Sequence, residues 1–331
     1  MQKSARNVLV ASFCILILVF LIHVGIGSTI WYKPWEIARE IFRGNVRDTT
    51  ENQIVWALRL PRAIQACIVG AILGVSGSAL QTLFRNQLAE PYIVGASSGA
   101  AIGSALVYVT GWGATALGVI AMPLAGFVSG LLTLGLVMSL SKKRGVVEAP
   151  TMLLAGVVVA TMLSSLLSFI LLFSGEDQRM VLRWLLGSLS EAFWEPIILM
   201  AVIFLIAFIL IFRSSQRLNA LSLGEDVAYS LGTNPTATRR LVLICVTAMT
   251  SVTVGAVGII GFVGLVAPHI ARRLVGVDLR ISLPLSAILG SLLLLLADAI
   301  AQRGAQGAGF PVGIVTSLLG APVLLILLRK R

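Results

Sequence analysis

Arg85-Asn86-Gln87-Leu88-Ala89-Glu90-Pro91 is a short polar run between two long apolar segments, with Gly74 and Gly77 ahead of it and Gly95, Gly99 and Gly103 behind. The segment that follows carries a small residue at every fourth position, a spacing that lets helices approach backbone to backbone in lipid. A single membrane anchor has no use for such a loop. The pattern reads as a polytopic protein that rearranges around a pathway.

The surrounding composition agrees. The chain has 331 residues, is 57% hydrophobic and 12% charged, and has a mean hydropathy of +0.97. A soluble core of this size needs less apolar sequence, so the expected solvent is a bilayer. The net charge of +11 could suggest a nucleic-acid partner, but the charges sit in short loops between apolar runs. In that setting basic residues mark the cytoplasmic side, and no nucleic acid is expected. Cys14, Cys67 and Cys245 lie far apart in apolar stretches, at neither disulfide nor metal-ligand spacing, so packing is their expected role and no metal site is expected. Lys3 and Arg6 precede an apolar run over 8–27, with no small-x-small site before Trp31-Tyr32-Lys33, which predicts a retained first helix rather than a cleaved signal.

Ten apolar segments can span a bilayer, over 8–28, 62–84, 92–110, 116–140, 150–173, 194–212, 240–257, 259–275, 281–300 and 312–328. The expected fold is therefore all-α and polytopic, one transmembrane domain over 1–331. An even count places both termini on one side. Lys3, Arg6, Arg329, Lys330 and Arg331 make that side cytoplasmic. This arrangement puts 16 of the 25 basic residues inside, although Lys33, Arg39, Arg43, Arg47, Arg59 and Arg62 crowd the first outer segment. In that segment Pro34 suits a first helical turn, and Trp35, Ala38, Ile41 and Phe42 share one face. An interfacial helix is expected there, either a plain connector or a docking element.

Three further features bear on mechanism. The longest inner loop, 213–240, holds Leu223, Gly224, Glu225, Asp226, Ala228, Leu231 and Gly232, which read as one short helix. The acids suit its positive start, and Gly232 with Asn234-Pro235 stops it. It is a plausible handle for a soluble partner. Gly255, Gly258, Gly261 and Gly264 recur every third residue and lead to Pro268-His269, the composition of a broken helix that hinges or lines a pathway. His269 has no second ligand at metal spacing, His23 reads as a core residue, and Asp298 is either a functional acid or one paired with Gln302 and Arg303 a turn later. No nucleophile motif and no phosphate-binding loop is present, so any ATP must be bound by another chain.

Together these residues resemble the iron-siderophore and vitamin B12 permeases of binding-protein-dependent ABC importers, the FecCD family. The resemblance rests on Arg59-Leu60-Pro61-Arg62, Gly74-Val75-Ser76-Gly77, Asn86 to Pro91 with Gly95, Gly261 to His269 with Gly264 and Pro268, and Pro311-Val312-Gly313. It implies ten helices per subunit, a dimer with the pathway at its interface, a pair of cytoplasmic ATPase subunits that hold ATP and Mg, and an extracytoplasmic solute-binding protein. It further implies that the loop matching Leu218 to Arg240 contacts the ATPase, and that Arg59 and Arg62 face acids of the binding protein. Arg303 lies one position from a third such arginine. The chain departs from the family pattern at Gln87, usually proline, and at Gly309-Phe310, usually Glu-Leu. The resulting expectation is a non-enzymatic permease subunit of a bacterial inner-membrane importer for ferric siderophores. Cobalamin or haem remain as cargo alternatives, as does a proton-driven secondary transporter using Asp298 or His269.

Overall fold

The computed structural model describes residues 2–26, 32–46, 49–92, 95–112, 117–143, 146–147, 149–175, 178–304 and 310–329. Trp31, Arg47, Arg144, Gly309, Lys330 and Arg331 lie outside the described residues. The chain opens with α1 (Gln2–Gly25), followed by α2 (Pro34–Arg43) and α3 (Thr50–Ile54). A π-turn over Val55–Arg59 then leads into α4 (Leu60–Leu83). Next come α5 (Ala96–Thr110), α6 (Ala121–Leu140), α7 (Ala149–Leu172), α8 (Gln178–Leu185) and α9 (Trp194–Arg213). Two short helices, α10 (Ser215–Leu223) and α11 (Glu225–Ser230), precede α12 (Pro235–Val257), α13 (Val263–Val275), α14 (Leu279–Arg303) and α15 (Val312–Arg329). The one β pairing among the described residues is a two-residue ribbon, Lys142–Lys143 against Val146–Val147.

Each of the ten expected segments is helical, but three start late. The third begins at Ala96 rather than 92, the fourth at Ala121 after a 3-10 turn, and the eighth at Val263 rather than 259. Hydropathy cannot register this, because apolar residues are as common in the extended stretches as in the helices. Among the described residues, seven helices are long and apolar enough to cross a membrane. The 15 residues of α5 and 13 of α13 give only about 20 Å of helix each, short of a hydrocarbon core of about 30 Å. Non-helical backbone therefore enters the bundle with them.

α4 is the centre of the bundle: its spanning window is 83% buried, against 22% for α1 and 11% for α7. Glycine makes that possible. A Cβ on Gly70 would lie 2.4 Å from the Gly290 carbonyl oxygen, and one on Gly74 would lie 2.1 Å from that of Ser286, so α4 and α14 cross antiparallel, backbone on backbone. The Ser291 hydroxyl donates across the same seam to the Cys67 carbonyl at 2.7 Å. α1 and α7 present Phe13, Leu18, Leu154, Val158 and Met162 outward, as helices facing lipid do. Cys14 lies on that exposed side of α1, so of the three cysteines it is the one that does not pack inside. In α2 the expected single apolar face divides: Ile37 is buried and Ile41 packs beside it, while Trp35 and Phe42 point away.

Candidate functional site

The polar loop after α4 is fixed by the end of that helix. Arg85 takes a left-handed conformation (φ 51°), the Asn86 N–H donates to the Gln81 carbonyl at 3.1 Å, and the Arg85 N–H to that of Thr82 at 3.3 Å. This is a Schellman stop with arginine where glycine is usual. The Asn86 side chain then accepts the Leu88 N–H at 2.9 Å and turns the chain back toward the bundle. Pro91 packs its ring on Gly264, where a Cβ would lie 2.9 Å from the Pro91 Cδ. Gly95 (φ 79°) opens α5.

Opposite this loop, α12 stops at Gly258 (φ 76°) and α13 begins only at Val263. Two non-helical stretches thus meet inside an apolar bundle, where unpaired backbone groups are costly. They satisfy one another. The Tyr92 hydroxyl donates to the Ile260 carbonyl at 2.9 Å, and the Glu90 Oε1 accepts the Phe262 N–H at 2.8 Å. Below them the Gln81 amide donates to the Gly264 carbonyl at 3.1 Å, and Arg272 donates to the Gln81 Oε1. Gly77 lies against Gly264 so closely that a Cβ there would meet the Gly264 carbonyl oxygen at 1.8 Å. Gly77 is six residues, or about 9 Å, above the last residue of α4, so this polar knot lies well within the bundle.

A third extended segment closes the break. The Ser188 N–H donates to the Val257 carbonyl at 2.8 Å, and the Gly313 N–H to that of Gly187 at 3.3 Å. A Cβ on Gly313 would lie 2.2 Å from the Leu186 carbonyl oxygen and 2.9 Å from that of Ile259. Pro311 precedes this contact and its carbonyl accepts the Ile314 N–H at 3.1 Å. Thus Gly77, Glu90, Pro91, Gly264 and Gly313, scattered in sequence, converge on one discontinuity. Pro268 is buried in α13 and His269 partly buried beside it, a helical turn away from the break.

At the far end of α4 lies a buried charge cluster. Asp298 is fully buried in α14. Its carboxylate accepts two bonds from Arg62, Nε to Oδ2 at 2.9 Å and Nη2 to Oδ1 at 2.8 Å, and one from the Gln302 amide at 2.8 Å. The His23 Nε2 lies 2.9 Å from the same Oδ2. Of the two partners expected for Asp298, Gln302 is present and Arg303 is not. Arg303 is exposed, and the compensating cation comes from α4 instead. Arg62, expected at the outer face, keeps 21% of its side chain exposed while chelating Asp298. Arg59 donates to the Val24 and Gly25 carbonyls at 3.3 and 2.9 Å, and its guanidinium lies 4.7 Å over the Tyr32 ring.

The loop between α9 and α12 holds two helices: α11 is the expected short helix, starting after Gly224 (φ 136°), and α10 ahead of it is an addition. α11 ends at Gly232 (φ 72°), where the Thr233 N–H donates to the Ala228 carbonyl at 2.8 Å. Asn234 then caps α12 by accepting the Ala237 N–H at 3.0 Å. Leu218, Leu221 and Ala228 anchor the pair inside, whereas Leu223, Tyr229 and Leu231 are 58–69% exposed. The Glu225 carboxylate is stapled to buried Arg239 of α12, and Asp226 faces out. An exposed apolar cap on a braced helix pair fits a partner surface.

Sequence reasoning passed over Tyr92, and it assigned no contact to Gln81 or Phe262. A polar side chain inside an apolar run was the available signal for Gln81. Phe262 has no such signal, since its role lies in its backbone. Among the described residues no group of three or more His, Cys, Asp or Glu could hold a metal ion.

Known proteins place this architecture. The vitamin B12 import system permease BtuC of Salmonella typhi is 36% identical over 338 residues, covering 99% of this chain and 97% of its own length. The Helicobacter pylori protein named as a probable iron chelatin transport system permease is 34% identical over 328 residues, covering 97% of each chain. A solved chain described as the inward-facing conformation of a metal-chelate type ABC transporter superposes with a TM-score of 0.86 at 31% identity, over 98% of this chain and all of that one. These relatives are permeases, transport components rather than enzymes. With residues 15–330 matching the family as a whole, this chain belongs to the FecCD transport family.

Proposed function

We propose that this permease of an ABC importer carries an iron(III)-siderophore inward across a bacterial cytoplasmic membrane. A separate ATPase pair powers it, and an extracytoplasmic solute-binding protein and a second permease complete it. Family membership displaces the proton-driven alternative. The observation that carries the cargo reading is the pairing of ionisable groups within the bundle. Asp298 is taken by Arg62, Glu90 by the Phe262 N–H, and Arg272 by Gln81. Apolar walls suit a large chelate whose metal charge is already neutralised by its ligands. Uptake of radiolabelled ferric siderophores and of labelled cobalamin, in cells lacking and regaining this chain, tests it. Iron uptake restored by the chain supports the proposal. Cobalamin uptake without iron uptake replaces it with vitamin B12, the cargo named for the Salmonella relative.

The exposed Leu223, Tyr229 and Leu231 are assigned to the ATPase, while Arg59, Arg62 and Arg303 are assigned to the binding protein. Leu231→Asp places a charge in the apolar cap without touching the buried anchors. It is expected to weaken ATPase retention by about tenfold or more in a detergent pull-down, with the permease still inserted in the membrane. Undiminished ATPase recovery would move the contact elsewhere.

A further inference from the structure

The break between α12 and α13 contains a bulky residue in a conformation that costs it energy. Phe262 has φ 68°, the left-handed region, where a side chain with a Cβ is strained and glycine is not. Such strain persists only where the surroundings impose it. Three contacts do so here. The Glu90 carboxylate takes the Phe262 N–H at 2.8 Å, and the Phe262 carbonyl receives the N–H groups of Leu265 and Val266 at 3.0 and 2.9 Å. The ring and Cβ sit on Gly320 of α15, where a Cβ would come within 2.4 Å of the Phe262 Cβ. Phe262 and Gly320 also line an apolar groove of about 100 Å³ between α13, α14 and α15.

Glu90 belongs to a different element, the loop whose exposed residues Arg85 to Leu88 lie just beyond the end of α4. The hydrogen bond therefore ties that loop to a strained turn inside the bundle and, through the Phe262 ring, to α15. We infer that Glu90 is a positioning residue: its carboxylate holds Phe262 in the left-handed conformation, and transport requires the start of α13 that this turn sets. The strain of one residue and the worth of one hydrogen bond to a carboxylate are of the same order, so the turn is poised between two states. This rests on the importer reading above.

The test is made on the complex with its ATPase, in proteoliposomes, with Glu90→Gln, Glu90→Ala, Phe262→Gly and the Glu90→Ala/Phe262→Gly double variant. Glu90→Gln keeps an acceptor and is expected to transport within about twofold of the unsubstituted protein, whereas Glu90→Ala is expected to lose about tenfold in transport with ATP hydrolysis little changed. Glycine adopts a positive φ without help, so the double variant is expected to regain most of the lost transport. A merely structural carboxylate predicts no such rescue. Glu90→Ala transporting normally, or the double variant no better than Glu90→Ala, overturns the inference. Should Glu90→Ala fail to assemble, recovery of assembly in the double variant is the readout, and its absence again overturns the inference. Thermal midpoints of the four variants need no substrate. They separate failure of this linkage from failure of the cargo assignment, which would show as no transport by the unsubstituted complex.

Discussion

Asp298→Ala is expected to lower the stability of the protein by about 3 kcal/mol or more, the penalty for leaving a buried cation without its partner. The carboxylate is the shared acceptor for Arg62, Gln302 and His23, three side chains brought from α4, α14 and α1. Removing it strands the Arg62 guanidinium and the buried His23 together. Arg62 retains 21% exposure, so water recovers part of the loss, and the lower end of the usual 3–5 kcal/mol range applies. Asp298→Asn keeps the volume and one acceptor and should fall between. A paired apolar replacement, Asp298→Leu with Arg62→Met, should be milder than Asp298→Ala alone, because neither charge is left behind. Thermal unfolding in detergent, followed by size-exclusion retention, decides the order. An Asp298→Ala protein as stable as the parent would show that the cluster is not load-sharing in this way. α1 is the helix most exposed to the consequence, since little else buries it.

Gly77→Ala is expected to be more damaging than the addition of one methyl suggests. The new Cβ would lie 1.8 Å from the Gly264 carbonyl oxygen, a backbone atom that no rotamer change can move. α4 and α13 would have to separate by more than an ångström, pulling Gln81 off the Gly264 carbonyl and loosening the Glu90–Phe262 contact beside it. Overpacking usually costs about 1–3 kcal/mol, and this site lies at or beyond the upper end because both partners are main chain. Gly135→Ala is the matched control. Gly135 faces outward on α6 with nothing within 4 Å of its Cβ position, and alanine there should be neutral or stabilising by about 0.5–1 kcal/mol. Expression yield and thermal midpoint of the two variants make the comparison. Equal behaviour would mean the α4–α13 seam can yield.

Much of this was legible in the residues. Apolar length gave ten helical segments, because burial in lipid demands a run of known extent, and Gly232 with Asn234-Pro235 marked the end of the short inner-loop helix through local backbone chemistry. Gly77, Gly264, Glu90 and Pro91 were recognisable as a group only through family resemblance, since no local rule links residues nearly two hundred positions apart. The helix ahead of Gly224, α10, escaped the sequence reading, which placed a helix only over 223–232. The cation that pairs with Asp298 was sought a turn away, at Arg303, and found on α4 as Arg62.

What the sequence by itself determined was the solvent, the places of the apolar helical segments, the stops written in glycine, proline and asparagine, and the family. Those follow from composition and from interactions within a few residues. Only the tertiary structure decided that the loop after α4 meets the break after α12, that Phe262 is held in a left-handed turn, and that His23, Arg62 and Asp298 share one buried cluster. The reason is physical. In an apolar bundle each unpaired backbone group and each charge must find a partner somewhere, and packing, not chain order, chooses which one.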